Sequence, residues 1–307
     1  MFDYIKTKKI KFNFISYKHL FRKKMQQQKF RVGICQIKQT KEKVENIKIA
    51  GEAIEEAAKN GAQLIVLGEY FNTMYNKDWT LKDAESFDDL SKAPTVAFLK
   101  EISKRLGVYI VAGSIPERGA EDKIYNTSLV LNKNGEIIAQ CRKVHLFDID
   151  IPGKITFKES EYLIPGNKII TFDTEFGRVG VAICYDMRFP ELALLMAKKG
   201  CKLIVYPGCF NQTTGPLHWE LLLRSRAVDN QVYTIGCATA RYKEDPTMYQ
   251  SWAHSTCVDP MGKVIATCGE DPTIIYADLD FDYVDEVRKQ LPYQSQKRLD
   301  IYKVEEL

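Results

Sequence analysis

Three side chains of complementary chemistry stand where expected strands of this chain stop. The run 64–67 leads into Gly68 and Glu69, the run 136–143 ends in an amine at Lys143, and the run 179–183 delivers Cys184. A thiol at the C-terminal edge of a strand has backbone N–H groups nearby and the positive end of a following helix. Here Arg188 also lies within a few residues and is expected to favour thiolate. Cysteine is equally a small hydrophobe that is usually buried, so Cys184 becomes a nucleophile only with a proton acceptor and a charge-stabilising group beside it. Glu69 and Lys143 have the right types, and ligands in layered α/β folds gather beyond the carboxyl ends of strands. Spacing alone does not bring them together. His145, His218 and His254 offer a different base, which makes a Cys-His hydrolase the competing assignment.

The elements that must hold these groups follow from hydropathy period and from turn residues. Strands are expected over 30–37, 64–67, 108–112, 168–172, 178–183, 203–206, 232–240 and 274–279, and helices over 44–58, 94–106, 190–199, 217–230 and 283–291. Residues 125–131 and 136–143 form a hairpin around Asn134-Gly135, and 255–258 pairs with 263–267 around Pro260-Met261-Gly262. Pro190 suits the first turn of the helix that follows the cysteine, and Gly200 stops it. The stretch 146–165 reads as an irregular loop, long enough to be functional. Strands alternate with helices in the first and third quarters, and hairpins fill the middle and end. That mixture implies a layered α/β domain with mixed sheets.

Composition narrows the function classes. With 45% hydrophobic and 27% charged residues the chain is of ordinary globular type, and no apolar run approaches the roughly 18 residues of a membrane span. The net charge of +4 is carried by one end. Residues 1–29 hold nine Lys or Arg against Asp3 alone, which is +8, so the rest of the chain carries −4. A nucleic-acid footprint would have to lie on the domain itself, and none is expected there. The basic arm reads as a disordered extension or an organelle address, with Met25 as an alternative start. The eight cysteines contain no C-x-x-C pair, and the four histidines do not join them at zinc-ligand spacing. A reducing compartment and no metal are expected.

The blocks carrying the three groups have a family likeness. Gly68-Glu69, Arg142-Lys143-Val-His-Leu-Phe-Asp148 and Gly180-Val-Ala-Ile-Cys184-Tyr-Asp186-Met-Arg-Phe-Pro-Glu191 resemble, in order and spacing, the blocks of the carbon–nitrogen hydrolase (nitrilase) superfamily and its Glu-Lys-Cys triad. Segments 151–160, 206–211, 213–216 and 218–231 resemble its omega-amidase branch, and the likeness spans about 30–304. The arm 1–29 lies outside it, and 72–75 and 242–250 match less closely, although both could shape the pocket.

This resemblance implies an α/β fold built as a four-layer α-β-β-α sandwich with two mixed sheets. One domain would run over 30–307, with a tail from about 292 that reaches across a homodimer. It implies hydrolysis of the terminal amide of 2-oxoglutaramate or 2-oxosuccinamate through a thioester. Cys184 would be the nucleophile, Glu69 the base, Lys143 and the backbone N–H of Tyr185 the oxyanion donors, and Glu159 the group that holds Lys143 and helps place the water. Arg188 is the candidate for the substrate's distal carboxylate, with Phe210 and Thr214 lining the pocket and Arg226 structural. No cofactor, nucleic acid or membrane partner is implied, and the location is cytoplasmic, or mitochondrial through the arm. Besides the Cys-His hydrolase, another amidase of the superfamily or a catalytically silent scaffold would account for the same motifs.

Overall fold

The computed structural model describes residues 29–307, so the expectations for the basic arm and for Met25 lie outside the described residues. Fifteen strands are present in that range. The first six are β1 (Phe30–Gln36), β2 (Leu64–Leu67), β3 (Tyr109–Val111), β4 (Ile115–Arg118), β5 (Ile124–Leu131) and β6 (Ile137–Arg142). A small hairpin follows, β7 (Asp148–Ile151) and β8 (Ile155–Lys158). The remainder are β9 (Ile170–Thr174), β10 (Gly177–Val181), β11 (Leu203–Gly208), β12 (Tyr233–Ala238), β13 (Thr256–Val258), β14 (Val264–Thr267) and β15 (Thr273–Leu279). The helices are α1 (Lys43–Lys59), α2 (Lys77–Asp83), α3 (Pro94–Leu106), α4 (Pro190–Lys198), α5 (Gly215–Asn230) and α6 (Phe281–Gln290).

Two mixed sheets carry the molecule. One runs β15-β1-β2-β3-β5-β4 with β6 on the far edge of β5, and the other runs β14-β13-β12-β11-β10-β9. Strands β1, β2 and β3 are parallel, as are β10, β11 and β12, while the outer pairings are antiparallel. Two-residue periodicity sorts each central strand between two cores. Val32, Ile34, Leu64 and Val66 meet Val179, Val181, Leu203 and Val205 between the sheets. Cys35, Ile65 and Leu67 face α1 and α3 on one outer side, and Ala182, Ile204 and Tyr206 face α4 and α5 on the other. The result is the α-β-β-α sandwich. No helix among the described residues is long and apolar enough to cross a membrane.

Most expected elements form within two or three residues of their predicted ends. Others were not anticipated. The stretch 146–165 holds the β7–β8 hairpin, which turns at Gly153 (φ 72), and a 3-10 turn over Glu159–Glu161. Helix α2 has seven residues and starts on Asn76, whose side chain accepts from the Trp79 N–H, too short for a period to show. Strand β4 contains Pro116, tolerated because the strand is at the sheet's edge. The tail after α6 meets α4 of its own chain, with Lys198 Nζ donating to the Val304 carbonyl at 2.7 Å.

Candidate active site

The chemistry-bearing residues meet where strand ends of the two sheets crowd together. Gly68 follows β2, and a Cβ there would lie 2.7 Å from the Ala238 carbonyl carbon and the Thr239 nitrogen just past β12. Only glycine permits that approach, and it carries Glu69 into the seam between the sheets. Lys143 comes from the end of β6 and is fixed by its N–H, which donates to the Asn126 carbonyl on β5 at 2.8 Å. Cys184 stands beyond β10 in a 3-10 turn (Cys184–Arg188) with φ 48, a left-handed conformation that strains a non-glycine residue by about 1–3 kcal/mol.

Glu69, Lys143 and Glu159 are all fully buried. Lys143 Nζ lies 3.0 Å from Glu69 Oε1, and 3.0 and 2.9 Å from the two oxygens of Glu159. The remaining capacity of Glu159 is filled by the Tyr75 hydroxyl at 2.7 Å and the Phe147 N–H at 2.7 Å. Asn126 Nδ2 donates to Glu69 Oε1 at 2.8 Å, while Oε2 of Glu69 has no such partner. The Cys184 thiol and the Glu69 carboxyl weigh on each other's protonation, and Oε2 is the Glu69 oxygen left free to receive a proton. The Cys209 N–H points at the Cys184 sulfur from 3.4 Å.

Burial governs the charges here. It pushes the Cys184 thiol well above its ordinary range, the Glu69 carboxylate adds to the rise, and Lys143 opposes it. The expectation that helix and Arg188 would favour thiolate is therefore overturned: the resting nucleophile is a thiol. Burial also raises Glu69, against the pull of Lys143, which makes it a better proton acceptor than an exposed carboxylate. For Lys143 burial acts downward, but Glu159 and Glu69 outweigh it and hold the amine well above its usual value, as ammonium.

Asp186 ties the two arms of the site together. It is buried, its Oδ2 accepts the Ile183 N–H at 2.9 Å and the Val144 N–H at 3.4 Å, and its Oδ1 accepts the His145 N–H and ring Nδ1. The histidines offered by the sequence are engaged elsewhere. His145 bonds to Asp186 and stacks on Phe189 at 3.5 Å, His218 bonds to Arg188, and His254 bonds to the Trp252 carbonyl. Arg226 grips the Met187 and Arg188 carbonyls behind the turn, as a structural role requires.

A narrow cleft reaches the sulfur, lined by Phe147, Tyr185, Arg188, Phe210, Thr214 and Tyr249. Its free volume is about 10 Å³, room for about one water, so the lining side chains must move apart to admit a substrate. The Arg188 guanidinium lies 4.8 Å from the Phe210 ring centre and has no carboxylate partner among the described residues. Burial lowers its pKa. The sequence reading gave no role to Tyr75, Asn126, Phe147, Asp186 or Tyr249. Tyr75 and Tyr249 fall in the two stretches noted as poorly matched, and their rings meet at 4.5 Å. Asn126 carried little signal, standing beside Thr127 and Ser128 in a strand with three polar residues in a row.

The carbon-nitrogen hydrolase family model matches residues 31–289. Among similar proteins, Omega-amidase NIT2 of Homo sapiens is 48% identical over 276 residues, covering 90% of this chain and 98% of that one. The chloroplastic omega-amidase of Arabidopsis thaliana is 48% identical over 277 residues, 90% of this chain and 74% of the relative. The crystal structure of Saccharomyces cerevisiae Nit3, a member of branch 10 of the nitrilase superfamily, superposes with a TM-score of 0.81 at 43% identity, covering 88% of this chain and 97% of that one.

Proposed function

The chain belongs to the carbon–nitrogen hydrolase family, and on that footing we propose that it is an omega-amidase, cleaving the terminal amide of 2-oxoglutaramate or 2-oxosuccinamate to the 2-oxo dicarboxylate and ammonia. Glu69 takes the Cys184 proton as the sulfur attacks the amide carbon. Lys143, with two carboxylates accepting from it, has a third N–H to give the oxyanion. Tyr185 adds a backbone N–H at the start of a 3-10 turn, where amides have no partner inside the turn. Collapse expels ammonia, protonated through Glu69, and leaves a thioester on Cys184. Water activated by the same carboxylate hydrolyses it and restores the thiol. Glu159, bonded to Tyr75, Phe147 and Lys143, keeps the ammonium in place and helps position that water.

The observation that carries the substrate reading is Arg188, a cation in the cleft of the nucleophile without an acid of its own among the described residues. A monoamide of a dicarboxylate brings that acid at the end remote from the amide, with Phe210 and Thr214 bounding the space between. An ammonia-release screen of the full chain on 2-oxoglutaramate, 2-oxosuccinamate, glutamine, asparagine and aliphatic nitriles tests it, with Cys184→Ser as the control that loses activity. Comparable rates on nitriles overturn the substrate assignment.

The reading includes a homodimer. Leu217, Leu221 and Val228, 67%, 59% and 45% exposed, share one face of α5 and form an apolar stripe suited to a second copy. Light scattering on the purified chain measures the mass. All eight cysteines are free, in keeping with a reducing cytoplasm, or with an organelle if the basic arm acts as an address.

A further inference from the structure

Arg188 is held at one corner only. Its Nη1 lies 3.0 Å from His218 Nδ1. A guanidinium nitrogen can only donate, so Nδ1 accepts and the imidazole proton sits on Nε2. Nε of Arg188 is buried with no partner, and Nη2 makes no hydrogen bond among the described residues. The rings of Phe210 and Tyr185, 4.8 and 5.5 Å from the guanidinium carbon, flank the group. The first turn of α5 fixes His218 in turn, through its N–H on the Thr214 carbonyl at 2.9 Å.

We propose that His218 is a positioning residue for substrate selection: by accepting from Nη1 it presents the Nε–Nη2 edge of Arg188 to the cleft, where that edge takes the substrate's distal carboxylate through two parallel bonds. This rests on the reading of Arg188 as the carboxylate anchor. An Asp or Glu at position 218 would orient the guanidinium equally well but would neutralise it. A neutral imidazole orients it and leaves the charge for the ligand.

The arrangement works only while Nδ1 has its lone pair. Protonation removes the acceptor and sets two cations 3.0 Å apart. Burial first, and the charge of Arg188 second, hold His218 below the usual histidine value, so the neutral form persists until the solution is acidic. The other ionisable groups facing Arg188 are Cys184, Tyr185 and Tyr249. None is a carboxylate, and thiols and phenols do not titrate in weak acid. Affinity for an anionic amide is therefore lost as pH falls through the His218 transition, while affinity for a neutral amide does not follow it.

The test compares KM for 2-oxosuccinamate and for butanamide, which lacks the distal carboxylate, between pH 5 and 8 on the full chain. The expected result is an acid limb for 2-oxosuccinamate alone. His218→Asn, whose amide oxygen can stand near the Nδ1 position, keeps KM within about threefold and flattens that limb. His218→Leu lowers the preference for 2-oxosuccinamate over butanamide about tenfold. An unchanged preference in His218→Leu, or an acid limb that survives in His218→Asn, overturns the proposal. Arg188→Leu separates the two levels. If it leaves the preference intact, the anchor reading fails and this inference with it; if it abolishes the preference while His218→Leu does not, only the role of His218 fails. Where turnover of butanamide is too slow, calorimetric Kd values for 2-oxoglutarate give the same comparison, about tenfold weaker in His218→Leu if the proposal holds and unchanged if it does not.

Discussion

Oδ1 of Asp186 accepts both the backbone N–H and the ring Nδ1 of His145, each at 2.8 Å, so a single carboxylate fastens the segment after Lys143 to the turn that bears Cys184. In Asp186→Ala the Ile183, Val144 and His145 N–H groups lose their acceptor. Each buried donor left unpaired costs about 1–3 kcal/mol. We expect a lower Tm and a fall in kcat of at least tenfold, measured by thermal unfolding and ammonia release. His145→Ala keeps the backbone bond and is expected to retain considerable activity, whereas a Cys-His hydrolase would lose all of it.

Lys143→Ala removes the proposed oxyanion donor, an ammonium that stands between two buried acids. Loss of one oxyanion donor costs about 2.7–4 kcal/mol of barrier, or roughly 10²–10³ in kcat. Stability drops as well, by about 3–5 kcal/mol, because Glu69 and Glu159 are left facing each other without compensation. Urea unfolding alongside single-turnover assays separates the two losses.

Tyr75→Phe deletes the hydroxyl that donates to Glu159 Oε1 and leaves the ring contacts with Tyr70, Phe157 and Tyr249 in place. The expected outcome is a several-fold lower kcat with KM little altered. A change in KM alone would mean that the ring, rather than the hydroxyl, matters.

Alkaline pH should unfold the protein early. Burial raises every described thiol: Cys268 to about 11, Cys201 and Cys209 to about 12, and Cys35, Cys141, Cys184, Cys237 and Cys257 further. The unfolded chain ionises its thiols near pH 9 while the folded chain keeps them protonated, so the folded state holds more protons and stability falls as pH rises. Each thiol contributes up to about 1.4 kcal/mol per pH unit between the unfolded and folded values. Urea midpoints at pH 7.5, 9 and 10 should decline with increasing slope; a flat profile would show that the thiols are already solvated.

Much of the site could be read from the chain. Glu69, Lys143 and Cys184 each follow a stretch expected as a strand, and those strands end at the seam. What could not be read is the set of bonds that orders them. Tyr75 reaches Glu159 across 84 positions, Asn126 reaches Glu69 across 57, and Asp186 reaches His145 across 41. No local period encodes such pairs. The expected thiolate failed for a related reason: the helix and Arg188 are near Cys184 in sequence, but burial and Glu69, 115 positions away, decide its protonation. The β7–β8 hairpin escaped notice because its strands are only four residues long and pair with neither main sheet.

The pairing of Glu69 and Glu159 around one ammonium also bears on how the enzyme clears itself. An uncharged carboxamide enters that chamber without opposition. Hydrolysis turns it into an anion, a third acid competing for a single amine, and in so narrow a space like charges repel strongly. On the proposed chemistry the reaction thus generates, at the amide end, a repulsion that speeds departure of what it makes.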